Sequence, residues 1–497
     1  MSQLRGARGA LAGNYAALAV ALLSQLILLP LLLTRLGATG AGFFVVLWSA
    51  VNFAGTGIGW LSGGGTVMLT QAAAAGNEAQ LSDLYRRFGR GMARYGLVGW
   101  IVLEAWSLGV GSLWLRELPP GGTTQIRLAV HGAGAYMFAL DVHQADLALL
   151  TARLRLSSVA FFRVAMQVLM FAFGTCGVLW GGGVAGMFVG YAAAAVLVSL
   201  AAHLLVRRDA WPSVGVATSR TLRPEPGSLG TFAGYSIVFS ILQYVDTLVL
   251  TIFGGPAAVV LLTFLQRLPD AAILLIGRAS ETLGPYYTTM SGASDREPFQ
   301  RTYLTASRVI WRVAAVSGAG YAVFGRDVVQ WWSRGRLDLP PQWFFVASGF
   351  ALVAAIVNRN AGLLAYYSGS PRAATRLLVW ELAMRVTFVL LLVHRLGPTA
   401  PVLAVLAAQL AVLLVAYRRL ECELLHVRLP VLLASCVWPA LASAIPAAIL
   451  MLCLRSLTTS AISQRGLALA AAAVGAAAVL TFQERALGLQ FLRRRRA

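Results

Sequence analysis

Five arginines, Arg163, Arg267, Arg312, Arg359 and Arg385, stand inside stretches of chain that are otherwise apolar. An ionisable side chain in such a stretch is costly to bury and is kept where it faces water or a partner. Arginine carries a planar fork of N–H donors that fits phosphate oxygens. These five are therefore the basic candidates for contact with an anionic ligand. Arg359 lies between Asn358 and Asn360, which makes a strongly polar patch in an apolar helix. Local neutralisation is the competing reading for two of the five. Arg267 and Asp270 are three residues apart and Arg385 and Glu381 four, so each pair can meet on one helix face. For Arg163 and Arg312 the alternative is snorkelling to a membrane interface.

The acids in apolar stretches are Glu104, Asp141, Asp146, Asp246, Asp270 and Glu381. A carboxylate in apolar surroundings takes a proton more readily and can carry a coupling proton. The coupling candidates are Asp246, Asp146, Asp141 and Glu381. Asp246 is the sharpest, with no arginine within one turn of its helix. His143 and Asp146, three residues apart, could form a proton-sensitive pair; a polar cluster near a helix end is the plainer alternative. No GxSxG, Walker loop or HExxH motif occurs, so neither an enzyme nor a cofactor is expected. Glu421 and Glu423 flank Cys422 among Arg418, Arg419 and Arg428, which reads as a solvated salt-bridge cluster rather than a metal site. Cys176, Cys436 and Cys453 fall in apolar stretches and read as small core hydrophobes.

Membrane helices are the elements that must position these side chains. Of 497 residues 58% are hydrophobic and 12% charged, and the mean hydropathy is +0.72. A soluble chain of this length needs more polar surface than that. The net charge of +21 comes from 40 basic residues, all arginine. Arginine-rich loops mark the cytoplasmic side of a membrane protein, and with no soluble domain to carry it, nucleic-acid binding is excluded. About fourteen apolar stretches are long enough to span a bilayer. They lie near 11–35, 42–63, 92–115, 127–150, 156–180, 184–206, 231–253, 258–280, 307–331, 343–366, 376–394, 399–417, 430–454 and 465–483. With the N-terminus inside and strict alternation, arginines favour the cytoplasmic side by about three to one. Both termini are then cytoplasmic, and the tail Arg493–Arg496 faces anionic lipid. The longest cytoplasmic segments are 207–230 and 281–306. The first contains Pro212, Pro224, Pro226 and Gly227 and reads as a linker. The expected organisation is a six-helix lobe at 1–206, a linker at 207–230, a second six-helix lobe at 231–420, and two further helices with a basic tail at 421–497.

The two halves begin alike. Span one ends in Arg35-Leu36-Gly37-Ala38-Thr39-Gly40 and span seven in Phe253-Gly254-Gly255-Pro256-Ala257, each a tight glycine turn into a following helix. Small, polar segments follow, at Thr70 to Glu78 and at Thr288 to Asp295. Short helical hairpins in general share such features, so a repeat of two six-helix halves and a mere likeness of hairpins both remain open at this stage.

The strings Pro30-Leu-Leu-Leu-Thr-Arg35-Leu-Gly37-Ala-Thr-Gly40-Ala-Gly42, Tyr244-Val-Asp246-Thr-Leu-Val-Leu, Gly254-Gly-Pro-Ala257 and Leu265-Gln-Arg267-Leu resemble, in order and spacing, the Wzx-type polysaccharide flippases. These belong to the multidrug/oligosaccharidyl-lipid/polysaccharide (MOP) exporter superfamily. Ala41 departs from the tyrosine frequent there, as do the glycine-rich Gly63-Gly64-Gly65 and the connection from Asp141 to Arg155. The resemblance implies an all-α polytopic protein with two pseudo-symmetric lobes in a V around a central cavity, working by alternating access. It implies as cargo an undecaprenyl-pyrophosphate-linked oligosaccharide, moved from the cytoplasmic to the periplasmic leaflet of a bacterial inner membrane. Arg359, Arg267, Arg385, Arg163, Arg312, Asn358 and Asn360 would then be the candidate cargo contacts. Membrane lipids, a polysaccharide polymerase and the export machinery would be its partners, and the chain would act as a monomer. No nucleotide-binding domain is present, so an ion gradient, a membrane potential or a cargo gradient must drive it.

Three other readings compete. A peptidoglycan-precursor flippase of the same superfamily is kept open by the last two spans. A small-molecule antiporter is disfavoured by arginines in the spans, which suit anionic headgroups better than cations. A membrane polymerase or glycosyltransferase needs a sizeable outer loop with catalytic residues, whereas the loop near 332–342 has only Arg334, Arg336 and Asp338 as charges.

Overall fold

The structure, a computed structural model, describes residues 2–114, 122–209, 211, 226–282, 297–368, 370–410 and 414–457. Among these the regular structure is entirely helical. Six helical stretches are long and apolar enough to cross a membrane: Ala16–Gly55, Leu156–Arg208, Ile237–Gly277, Gln342–Tyr367, Arg372–Ala408 and Leu429–Cys453. Each expected span up to 430–454 overlaps a helix. The stretch 465–483, the tail Arg493–Arg496, the segment Thr288 to Asp295 and most of the linker lie outside the described residues.

The chain divides into two compact units, Met1–Val260 and Leu261–Ala497. The first holds α1 (Ser2–Ala74), α2 (Glu78–Trp114), α3 (Gly122–Ala152), α4 (Leu156–Gly177), α5 (Gly183–Asp209) and the first arm of α6 (Pro226–Thr282). The second holds the rest of α6, then α7 (Glu297–Trp332), α8 (Gln342–Tyr367), α9 (Pro371–Leu396), α10 (Ala400–Ala408), α11 (Leu414–Leu425) and α12 (Leu429–Leu457). The polar segment expected near 281–306 is helical from Glu297 onward.

Both α1 and α6 are pairs of helices joined through one glycine. Gly37 has φ 70°, ψ −177° and Gly255 has φ 71°, ψ 179°, a region of backbone space that essentially only glycine occupies. The repeat legible at these two turns is thus a repeat of backbone conformation. A second matching pair follows: Gly183 has φ 56°, ψ −144° between α4 and α5, and Gly397 has φ 53°, ψ −131° after α9. The register is kept beyond the turns. The same number of residues separates Gly37 from Gly255, Tyr85 from Tyr303, Arg90 from Arg308 and Arg94 from Arg312. A slightly smaller separation links both Asp146 with Asn360 and Gly183 with Gly397. A β-carbon at Gly42 would lie 1.9 Å from the Pro256 carbonyl oxygen, so the small residue lets these turn regions meet.

In the N-terminal unit α3 is the central helix. It buries Ala129, Val130, Ala133, Met137, Leu149 and Leu150. Phe44 and Trp48 of α1, Tyr136 of α3, and Phe188 and Tyr191 of α5 form a connected aromatic cluster, with ring centroids 5.5 to 5.9 Å apart across helices. In the C-terminal unit α8 takes the corresponding place and buries Phe344, Phe345, Leu352, Ile356 and Leu364. These two central helices carry Asp141, His143 and Asp146 in one unit and Asn358, Arg359 and Asn360 in the other. Of the cysteines, only Cys436 is buried; Cys176 is half-buried and Cys453 exposed, so they do not all serve as core.

Candidate functional site

Successive helix residues are about 100° apart, so Asn358, Arg359 and Asn360 point from α8 in three directions. The Asn358 amide donates to the Gln409 side-chain oxygen at 2.7 Å. Gln409 in turn donates to Glu381 Oε1 at 2.5 Å, which completes a chain from α8 through the end of α10 to α9. Asn360 faces α7, where its amide lies 3.2 Å from the Tyr303 hydroxyl and 3.0 Å from Ser307 Oγ. Both asparagines are buried, and their amides tie α8 to its neighbours. Arg359 takes the third direction. A β-carbon on Gly277 of α6 would lie 2.8 Å from its Nε, so the guanidinium occupies space that a larger residue would close. Arg267, Arg312 and Arg385 are, like Arg359, half-buried, and all four belong to the C-terminal unit. Arg163, on α4 of the N-terminal unit, is exposed.

Below Asn360 lies a fully buried ion pair. Tyr303 donates to Glu421, and Arg418 pairs with the same carboxylate. Arg418 also donates to the Val357 carbonyl at 3.1 Å and stacks over Trp311 at 5.4 Å. Burial raises the Glu421 carboxyl pKa above its ordinary range, while Arg418 and the Tyr303 hydroxyl oppose the rise. The expected solvated cluster is therefore corrected: Arg418 and Glu421 are interior, and only Arg419, Glu423 and Arg428 are exposed. Three-residue spacing on α11 let Arg418 and Glu421 pair, and the buried Tyr303 and Asn360 drew the pair inward.

The N-terminal unit carries a second cluster. Tyr85 of α2 donates to Asp146 Oδ1 at 2.5 Å, and His203 of α5 places Nδ1 3.3 Å from the same oxygen. Trp211 stands edge-on to both rings, with centroids 5.6 Å from Tyr85 and 6.3 Å from His203. The Arg207 guanidinium lies 5.9 Å over the same indole. Burial first, and the Asp146 charge second, push the Tyr85 hydroxyl well above its usual range, so it stays a donor. The expected pairing of His143 with Asp146 is not formed. The His143 ring packs against Phe162 of α4, and neither of its nitrogens has a hydrogen-bond partner among the described residues. Asp146 looks instead toward α2 and α5.

Asp141 sits one turn earlier on α3 and is buried. A β-carbon at Gly96 of α2 would lie 2.9 Å from its Oδ2, and that oxygen has no hydrogen-bond partner among the described residues. Asp246, on the first arm of α6, is buried in the N-terminal unit, while Arg267 belongs to the C-terminal one. Sequence reasoning passed over Tyr85, His203, Tyr303, Arg418 and Glu421 as functional candidates. The equal spacing of Tyr85 and Tyr303 in the repeat was the signal that could have found them.

No known family pattern matches the chain, and no curated protein matches its sequence. Solved structures do match. A lipid II flippase MurJ in an inward closed conformation is similar over 96% of this chain and 99% of its own, at TM-score 0.68 and 10% identity. An inward-facing multidrug resistance MATE family transporter of the MOP superfamily is similar over 82% of this chain and 98% of its own, at TM-score 0.60 and 16% identity. A MOP superfamily transporter from Pyrococcus furiosus matches over 85% and 95%, at TM-score 0.60 and 14% identity. The chain has the multi-pass membrane fold of the MOP superfamily transporters.

Proposed function

We propose that this protein flips an undecaprenyl-pyrophosphate-linked oligosaccharide from the cytoplasmic to the outer leaflet of a bacterial cytoplasmic membrane. One observation carries the reading. Three half-buried arginines, Arg267, Arg359 and Arg385, lie in helical stretches long and apolar enough to cross a membrane, and a fourth, Arg312, lies half-buried on α7 of the same compact unit. A cationic cargo would be repelled there, whereas a pyrophosphate suits bidentate guanidinium donors. Arg359 and Arg267 contact the pyrophosphate, with Arg312 and Arg385 in support; Arg163 of the N-terminal unit is a further candidate contact with the cargo. Asn358 and Asn360 hold the helix that presents Arg359. Asp146 with His203, Asp141, Asp246 and the Glu381 relay are the groups through which protons bias the two facing states, because each couples a charge change to helix contacts. Both termini lie in the cytoplasm. The chain acts as a monomer that hands its product to a polymerase and export machinery.

The test is flipping in proteoliposomes loaded with the lipid-linked oligosaccharide. Arg359→Ala and Arg267→Ala each lower flipping by about tenfold or more at unchanged protein abundance, and lysine rescues only partly. Normal flipping in both alanine variants removes these arginines from the mechanism. A second reading, flipping of a peptidoglycan lipid precursor, is favoured by the likeness to MurJ over nearly the whole of both chains. Supplying that precursor in parallel liposomes separates the two, since the preferred cargo is the one flipped faster.

A further inference from the structure

The long helices α2 and α7 occupy the same place in the two units. Each opens with a glutamate in its first turn, Glu78 or Glu297, and each ends at a tryptophan. Their arginines stand in register, Arg90 with Arg308 and Arg94 with Arg312.

In the C-terminal unit this side of α7 is covered by α12. Arg308 Nε donates to the Ser435 carbonyl at 3.1 Å. Val323 and Phe324 of α7 pack on Met451 and Ala447 of α12. Arg455 closes the far end, 3.2 Å from Asp327. An arginine with an oxygen acceptor at one end, followed by apolar packing along the helix, is the pattern on this face.

In the N-terminal unit the same helix side is bare among the described residues. Arg87 is engaged by Asp83 at 2.9 Å. Among the described residues Arg90 reaches its own helix, with Nε 3.3 Å from the Arg86 carbonyl, and Arg94 is exposed. The stripe continues through Leu97, Val98, Ile101 and Leu108, all at least half exposed, with Leu108 at 70%. At 1.5 Å per residue the stretch from Leu97 to Trp114 is about 27 Å long, close to the ~30 Å of bilayer hydrocarbon. Arg94 and Arg90 then fall about 5 and 10 Å outside that boundary, at the depth of the lipid headgroups.

We infer that Arg90 and Arg94 of α2 form a binding site for one anionic phospholipid of the cytoplasmic leaflet, whose acyl chains lie along Leu97, Val98 and Ile101. The phosphodiester supplies the acceptor oxygen that the Ser435 carbonyl supplies to Arg308, and the chains cover the apolar stripe that α12 covers on α7. The site is independent of which cargo is flipped.

Native mass spectrometry of the full chain, released from mixed phosphatidylglycerol and phosphatidylcholine bilayers, tests this. The wild type retains phosphatidylglycerol over phosphatidylcholine. Arg90→Ala/Arg94→Ala lowers the phosphatidylglycerol-bound fraction by on the order of tenfold, while Arg419→Ala/Arg428→Ala, which removes the same charge elsewhere on the arginine-rich side, leaves it unchanged. Should the first variant fold poorly, the wild type still decides the matter, because its melting temperature rises with added phosphatidylglycerol and not with phosphatidylcholine. Equal loss in both double variants, unchanged retention in the first, or a dimer that the first variant dissociates would each overturn the assignment. Free lipid-linked pyrophosphate displacing phosphatidylglycerol from the wild type would assign the site to cargo instead.

Discussion

In the N-terminal unit Tyr85 of α2 and His203 of α5 converge on Asp146 of α3. In the C-terminal unit Tyr303 of α7 meets Asn360 of α8 and the Glu421–Arg418 pair of α11. Repeat register matches Tyr85 with Tyr303 and Asp146 with Asn360, and it brings His203 to within one residue of Arg418. The two clusters therefore do the same mechanical work, tying three helices together through a tyrosine, with different electrical parts. Arginine keeps its charge at any physiological pH, whereas histidine is the side-chain type that changes charge near neutrality. One unit thus places an arginine where the other places a histidine. A structural repeat constrains where helices must be joined, and leaves open whether the joint responds to protons.

The largest effect is expected where the arginine cluster is broken. Arg418 is 3% exposed and Glu421 0%. Removing one partner of such a pair leaves a buried charge uncompensated, at a cost of about 3–5 kcal/mol. Arg418→Ala should sharply lower the melting temperature in detergent and the yield of folded protein. Glu421→Gln, which keeps an acceptor for Tyr303, should fall between that variant and the wild type. Melting of Arg418→Ala at the temperature of Asp146→Asn would break the comparison, because the two clusters would then be equally dispensable.

How much of this was legible in the sequence depends on the distance over which the information acts. The membrane helices and the Gly37 and Gly255 turns were readable, because hydropathy and glycine act on neighbouring residues. The polar patch at Asn358, Arg359 and Asn360 was readable for the same reason, but its partners were not. Gln409, Tyr303 and Ser307 are brought to it by the packing of α7, α8 and α10. His143 shows the limit most clearly. Its spacing from Asp146 suits a helix-face pair, yet Phe162 engages its ring while His203, far along the chain, takes the place beside the carboxylate. Likewise the charges around Cys422 suggest a wet loop, and only the burial of Tyr303 against Glu421 reveals an interior ion pair.

The two glycine turns sharpen the comparison at a second point, with an intermediate effect. Gly37 and Gly255 share one backbone conformation, and a residue with a β-carbon there costs about 1–3 kcal/mol. At Gly37 no atom lies within 4 Å of the position a β-carbon would take, so the penalty there is conformational rather than a clash. Gly37→Ala and Gly255→Ala should each lower the melting temperature, by similar amounts. A clear loss in one and none in the other would show that the two turns bear different loads, and the repeat would be one of shape alone.

The smallest effect on stability should come with the largest change in pH response. Asp146→Asn keeps an acceptor for the Tyr85 hydroxyl, and His203→Gln keeps a polar group facing Asp146, so each should cost about 1 kcal/mol or less. Tyr85 is held protonated by burial and by the Asp146 charge, and Arg207, over Trp211, is a fixed cation. Asp146 and His203 are the remaining ionisable side chains of the cluster. When His203 is protonated it meets the carboxylate as an ion pair between α3 and α5; when it is neutral the contact is a weaker hydrogen bond. A change in the charge of this contact acts on the α3–α5 joint of the N-terminal unit. Flipping by the wild type in proteoliposomes should depend on pH within about 5 to 8, the range in which the histidine side-chain type changes charge. His203→Gln and Asp146→Asn should both flatten that dependence, and Arg418→Lys should not. A wild-type pH profile in both N-terminal variants would remove this joint from the coupling mechanism, whatever their melting temperatures show.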